Sequence, residues 1–142
     1  MNTYENYGPT LLRIALGIIY IAHSAYLKVV VFTIPGTVAF FESIGLPGLM
    51  AYAVITAETI GGAMLVLGIR VREAASVLTF VALGAVWAHS GAGWLFTNEG
   101  GGWEYPLFLA IATMAQALLG PGALTLDSLF KRETTVNARG TV

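Results

Sequence analysis

The chain has 142 residues, of which 56% are hydrophobic and 11% charged, with a formal net charge of −1 and no cysteine. Its mean hydropathy of +0.75 and low charge exclude an ordinary soluble domain, whose surface carries about twice that share of charged residues. The near-neutral balance gives no reason to invoke nucleic acid as a partner, and the lack of cysteine excludes thiol–disulfide chemistry by this chain alone and thiolate ligation of iron–sulfur or zinc.

Four apolar segments approach or exceed the ~20 residues needed to cross a bilayer: Thr10–Phe32, Pro47–Ile69, Ala74–Gly93 and Tyr105–Leu126. The runs are continuous rather than alternating, so they read as helices, which satisfy their backbone groups within one segment. The expected architecture is an all-α integral membrane four-helix bundle forming one domain over 1–128, followed by a polar cytoplasmic tail at 129–142. The leading MNTYENYG carries no basic residue, and the apolar run behind it is long for a signal peptide. The first span is therefore expected to be permanent.

In the first span, Arg13, Gly17, Tyr20, Ser24 and Lys28 recur at spacings of four, three, four and four. On an α-helix they form one polar stripe, with His23 beside it. The connection that follows places Pro35 before an apolar run and closes on Gly45 and Pro47, which predicts a short interfacial helix.

The second span carries Glu58, the one ionisable side chain in Gly45–Ile69. On the same face lie Gly61 and Gly62, where small residues let another helix approach closely. The turn Gly68–Glu73 is short, making the second and third spans antiparallel neighbours. His89 ends the third span, and Gln116 lies on the inward face of the fourth. The connection between those spans is Gly-rich; a lid and a plain mobile loop both fit it.

Basic residues fix the expected orientation. Four spans put Arg70, Arg72, Lys131, Arg132 and Arg139 on one side, while the 33–46 and 94–104 connections contain no Lys or Arg. By the positive-inside rule both termini are cytoplasmic. Trp94, Trp103 and Tyr105 then fall at the outer interface.

Depth counting at about 1.5 Å per residue groups Glu58, His23 and His89 in one central-to-outer layer. Two roles fit Glu58. It is either a structural partner of Arg13, Lys28 or a histidine, or a proton carrier beside a ligand. His23 is the candidate to share proton handling with Glu58. Arg13, Tyr20, Ser24, Lys28, His89 and Gln116 are candidate ligand-binding residues, and Gly17, Gly61 and Gly62 are candidate packing residues. Snorkelling to water is an alternative for Lys28 and Arg13. With no short-spaced ligand motif, no metal site is assigned.

Three pieces of sequence resemble the DoxX family of membrane proteins, in order. They are LLRIALGIIYIAHSAYLK, then FESIGLPGLMAYAVITAETIGGAMLVLGIRVR, then GGGWEYPLFLAIATMAQALLGPGALTLD. The resemblance covers roughly residues 10–128. It implies a four-helix protein of a prokaryotic cytoplasmic membrane, often associated with oxidoreductase systems, with Arg13, Lys28 and Glu58 at recurrent polar positions and Gly61 and Gly62 at packing positions. One branch of the family includes subunits of thiosulfate:quinone oxidoreductase, but this chain is short for a complete thiosulfate-oxidising unit. The expected function is a membrane subunit that binds a quinone-like molecule, holds no intrinsic cofactor, and works as a homo-oligomer or within an oxidoreductase complex. A noncatalytic scaffold and a small permease are the alternatives.

Overall fold

The computed structural model describes residues 6–128. The polar tail, with Lys131, Arg132 and Arg139, lies outside the described residues. Among those described, the chain is helical and contains no strand. The elements in order are α1 (Tyr7–Ile21), a π-helical segment (Ala22–Val31) continuous with it, α2 (Ile34–Ser43), α3 (Leu49–Leu67), α4 (Val71–His89) and α5 (Glu104–Leu119). Three stretches are long and apolar enough to cross a membrane: Tyr7–Val31, Leu49–Leu67 and Val71–Ala92. The apolar α5 is shorter, at 16 residues.

Local chemistry explains most boundaries. Thr33 caps α2 by accepting the Gly36 N–H on its side chain, with Pro35 in the first turn. The helix expected from Pro35 and Gly45 therefore forms at Ile34–Ser43. Gly68, at φ 71°, ends α3 in the left-handed conformation. The fourth segment was expected to run to Leu126 but stops at Leu119. Gly120 and Gly122 both have positive φ and flank Pro121, so the helical hydrogen-bond ladder cannot continue.

The second half of the first span also departs from expectation. The Ala22–Val31 segment is wound as a π-helix, and its end shows the i→i+5 pattern in the bond from Phe32 N–H to the Leu27 carbonyl at 2.8 Å. The wider turn begins after Ile21, and Ser24 and Lys28 still face α3, where they meet Thr59 and Glu58. Thr37 of α2 donates its hydroxyl to the Lys28 carbonyl at 2.9 Å, anchoring α2 to this segment.

α1 packs chiefly on α3, and α4 chiefly on α5 and then α3. Large apolar side chains such as Leu11, Phe80, Phe108 and Leu118 point outward. Buried positions include Arg13, Ser24, Thr113 and Gln116. Polar groups held inside beside an apolar core, with large apolar side chains outside, suit a hydrocarbon solvent.

Two glycine contacts set the close packing. A Cβ at Gly17 would lie 2.6 Å from the Gly62 carbonyl oxygen, and one at Gly62 would lie 2.9 Å from the Gly17 carbonyl oxygen. The backbones of α1 and α3 meet there. Gly61 faces the other way, where a Cβ would sit 2.9 Å from Leu78 of α4. Adjacent glycines thus serve different neighbours.

Candidate functional site

Glu58 lies nine residues from either end of α3, about 13 Å by helical rise. Its Oε2 accepts from Lys28 Nζ at 2.5 Å. The Glu58 side chain is 8% exposed and that of Lys28 20%. Of the partners anticipated for Glu58, the structure selects Lys28. The lysine reaches it from the π-helical segment.

Ser24, on the same segment, is fully buried. It accepts from the Thr59 hydroxyl at 2.9 Å, so residues 58 and 59 of α3 both bind this segment. Thr59 carries no distinguishing mark in the sequence, since a threonine beside a carboxylate is as common on a lipid face as on a packed one.

Tyr20 ties three helices together. Its hydroxyl lies 3.2 Å from the Leu78 carbonyl of α4 and 2.9 Å from the Thr113 hydroxyl of α5. Thr113 in turn donates to the Leu109 carbonyl at 2.7 Å. The Tyr20 ring is buried with these partners.

The histidines make other contacts. His23 stacks on Tyr105 at the start of α5, with ring centroids 5.8 Å apart and planes 14° apart. His89 Nδ1 lies 3.0 Å from the Gly100 carbonyl, and its ring stacks on Phe40 of α2. Among the described residues neither histidine hydrogen-bonds Glu58. The Gly-rich connection is held to the end of α4 by His89 and by Asn98 Nδ2, which donates to the Ala92 carbonyl at 2.9 Å.

Arg13 is buried at 1% exposure, and each of its five N–H donors has an acceptor. Nε donates to the Pro121 carbonyl; Nη1 donates to those of Leu65 and Val66; Nη2 donates to those of Ala123 and Leu124. The guanidinium caps the C-terminal end of α3, where a cation meets the negative end of the helix dipole, and holds the segment after α5. Backbone acceptors have no sequence signature, so nothing in the residue pattern foretells this clamp. Gln116 sits nearby in sequence terms: its Nε2 donates to the Gly120 carbonyl at 2.7 Å, while its buried Oε1 has no partner among the described residues.

The site is therefore a Lys28–Glu58 ion pair flanked by the Ser24–Thr59 bond, with His23 of the same segment stacked on Tyr105 of α5 and Arg13 locking the far end of α3. A family model named DoxX matches residues 8–91. The chain belongs to the DoxX family. It is also 32% identical over 129 residues to the Bacillus subtilis (strain 168) protein named "Putative oxidoreductase CatD", covering 89% of this chain and 90% of that one. No solved structure gives a significant match. The DoxX match and the three candidate spans make this a multi-pass, membrane-embedded protein. The matched region contains both residues of the ion pair, both histidines, Arg13 and the three packing glycines; Tyr105, Thr113 and Gln116 lie beyond it.

Proposed function

We propose that the protein is a membrane subunit associated with redox metabolism, which binds a quinone-like small molecule among its helices while Glu58, paired with Lys28, exchanges protons with it. The buried ion pair carries this reading. Burying two opposite charges is a weak route to stability compared with apolar side chains of similar volume, and intramembrane ionisable residues concentrate where protons or ligands are handled. The name of the Bacillus relative supports a redox setting. His23, on the same segment as Lys28, supplies a second proton-handling group. With no cysteine to hold an iron–sulfur cluster, we assign the supply of electrons to a partner subunit.

As part of this proposal, the four longer apolar helices cross a prokaryotic cytoplasmic membrane as a four-helix bundle, with both termini cytoplasmic. The placement of α5, which at about 24 Å is shorter than the other three, is supported by Arg72 in the first turn of α4, whose Nη1 donates to the Ala117 and Leu118 carbonyls at the C-terminal end of α5. Trp94 and Trp103 stand by its opposite end, as interfacial aromatics do.

The test is quinone analysis of protein purified from its native membrane, joined to Glu58→Gln in the native complex. Retained quinone and a tenfold or greater loss of quinone-linked turnover, roughly the effect of removing one proton-transfer group, are expected. Protein without quinone, together with unchanged turnover, would defeat the proposal.

A noncatalytic scaffold is the second reading. It is favoured by an outward apolar groove of about 640 Å³ between α3 and α4, whose lining includes Ala53, Ala57, Tyr52 and Ile60 and gives another membrane helix a surface to pack on. In that case Glu58→Gln lowers recovery of the complex but not turnover per assembled complex.

A further inference from the structure

The connection between α4 and α5 is hydrogen-bonded into a defined shape. The Trp103 N–H donates to the Gly93 carbonyl and the Glu104 N–H to the Trp94 carbonyl, both at 3.1 Å. The Gly101 N–H donates to the Asn98 carbonyl at 2.9 Å. The indoles of Trp94 and Trp103 meet edge-on with centroids 4.5 Å apart. Trp94 is thereby fixed beside the first residue of α5, and a pocket of about 550 Å³ opens there, lined by Trp94, Phe96, Glu104, Tyr105, Phe108 and Ile111 among others.

One charged group interrupts this aromatic and aliphatic lining. Glu104 lines this pocket and is only partly buried, so its carboxylate is reachable from it, while its Oε2 is closed to solvent with no hydrogen-bond partner among the described residues. The N-terminal dipole of α5 offsets part of the cost, but a shielded carboxylate oxygen without a donor remains unfavourable. The connections 33–46 and 94–104 contain no Lys or Arg to supply one. Aromatic faces around a carboxylate are suited to an ammonium group, since ring quadrupoles attract the cation and the carboxylate balances its charge. From Glu104 to Ile111 the lining continues about 10 Å along α5 past the exposed Phe108, and it offers only apolar surface in that direction.

We infer that this pocket binds the ammonium head of an amphiphile, with Glu104 as counter-ion and the apolar tail lying along Phe108 and Ile111. Its position at one end of an apolar membrane helix points to an amine-headed phospholipid of the phosphatidylethanolamine class. An anionic head is disfavoured by the same carboxylate.

The test uses full-length protein, delipidated in detergent and followed by native mass spectrometry with phosphatidylethanolamine or phosphatidylglycerol carrying identical acyl chains. Wild type is expected to retain the amine lipid about fivefold over the glycerol lipid, the discrimination of one exposed cation–aromatic site. Glu104→Gln brings that ratio near one. Phe96→Ala, which leaves the charge in place, lowers amine-lipid retention severalfold and serves where the Glu104 variant is not recovered. Dodecyltrimethylammonium is expected to displace the amine lipid. Equal retention of both lipids by wild type, a ratio unchanged by Glu104→Gln, or failure of the quaternary amine to compete overturns the inference. Displacement by tetramethylammonium alone at the same concentration overturns the lipid assignment in favour of a free cation.

Discussion

Lys28 and Glu58 close a 2.5 Å contact between the π-helical segment and the middle of α3, and each is the other's compensation for being out of water. Removing one partner leaves an uncompensated charge in a low-dielectric site. Lys28→Met and Glu58→Leu are each expected to cost about 3 kcal/mol, and the double substitution much less than their sum. Unfolding in mixed detergent micelles, arranged as a double-mutant cycle, measures the coupling; additive effects would show that the pair does not act as a unit.

Arg13 gives a sharper prediction because its role depends on geometry as well as charge. Lysine retains the charge but offers three donors from one point, against the five donors that arginine directs at the carbonyls of Leu65, Val66, Pro121, Ala123 and Leu124. Arg13→Lys is expected to destabilise the protein by at least about 2 kcal/mol, and increased proteolysis of the segment after Leu119 should accompany it. Stability within experimental error of wild type would contradict the clamp.

The glycine crossing of α1 and α3 can be tested against an internal control. A methyl at Gly17 meets the Gly62 carbonyl, whereas a methyl at Gly84 meets nothing within 4 Å. Gly17→Ala is expected to cost about 1–3 kcal/mol through overpacking, while Gly84→Ala is neutral or slightly stabilising. Thermal melts of the two variants in one detergent decide the matter, and equal melting temperatures would count against the crossing.

Tyr20 joins α1 to α4 and α5 through its hydroxyl alone, so Tyr20→Phe preserves the packing and removes the bonds to Leu78 and Thr113. A loss of about 1 kcal/mol is expected. Thr113→Val in the Tyr20→Phe background should add less than it does in wild type, because the two groups share one hydrogen bond.

These contacts show which features a sequence exposes. Long apolar runs, the helix at Pro35, the left-handed Gly68 and the cost of an isolated Glu58 all follow from residue type and local spacing. So does the set of partners for Glu58, from which the structure selects Lys28. The π-helical winding of Ala22–Val31 does not follow, because a spacing of four keeps residues on roughly one face of an α-helix and of a π-helix alike. His23, beside that face, stacks on Tyr105 of α5. The five carbonyls around Arg13 were equally hidden, since every residue carries a carbonyl and only the tertiary path decides which five converge. The end of α5 departs from the expected Leu126 because the Gly-Pro-Gly run at 120–122 outweighs the apolar residues that follow it.

The account turns on whether the Lys28–Glu58 pair does more than join two helices. The most direct measurement is quinone-linked turnover of the assembled native complex carrying Lys28→Met and Glu58→Leu together, which removes both charges while keeping apolar bulk. A stable, fully assembled complex with turnover reduced at least about tenfold is expected. Wild-type turnover in that assembled double variant would contradict it and leave the pair a structural pin.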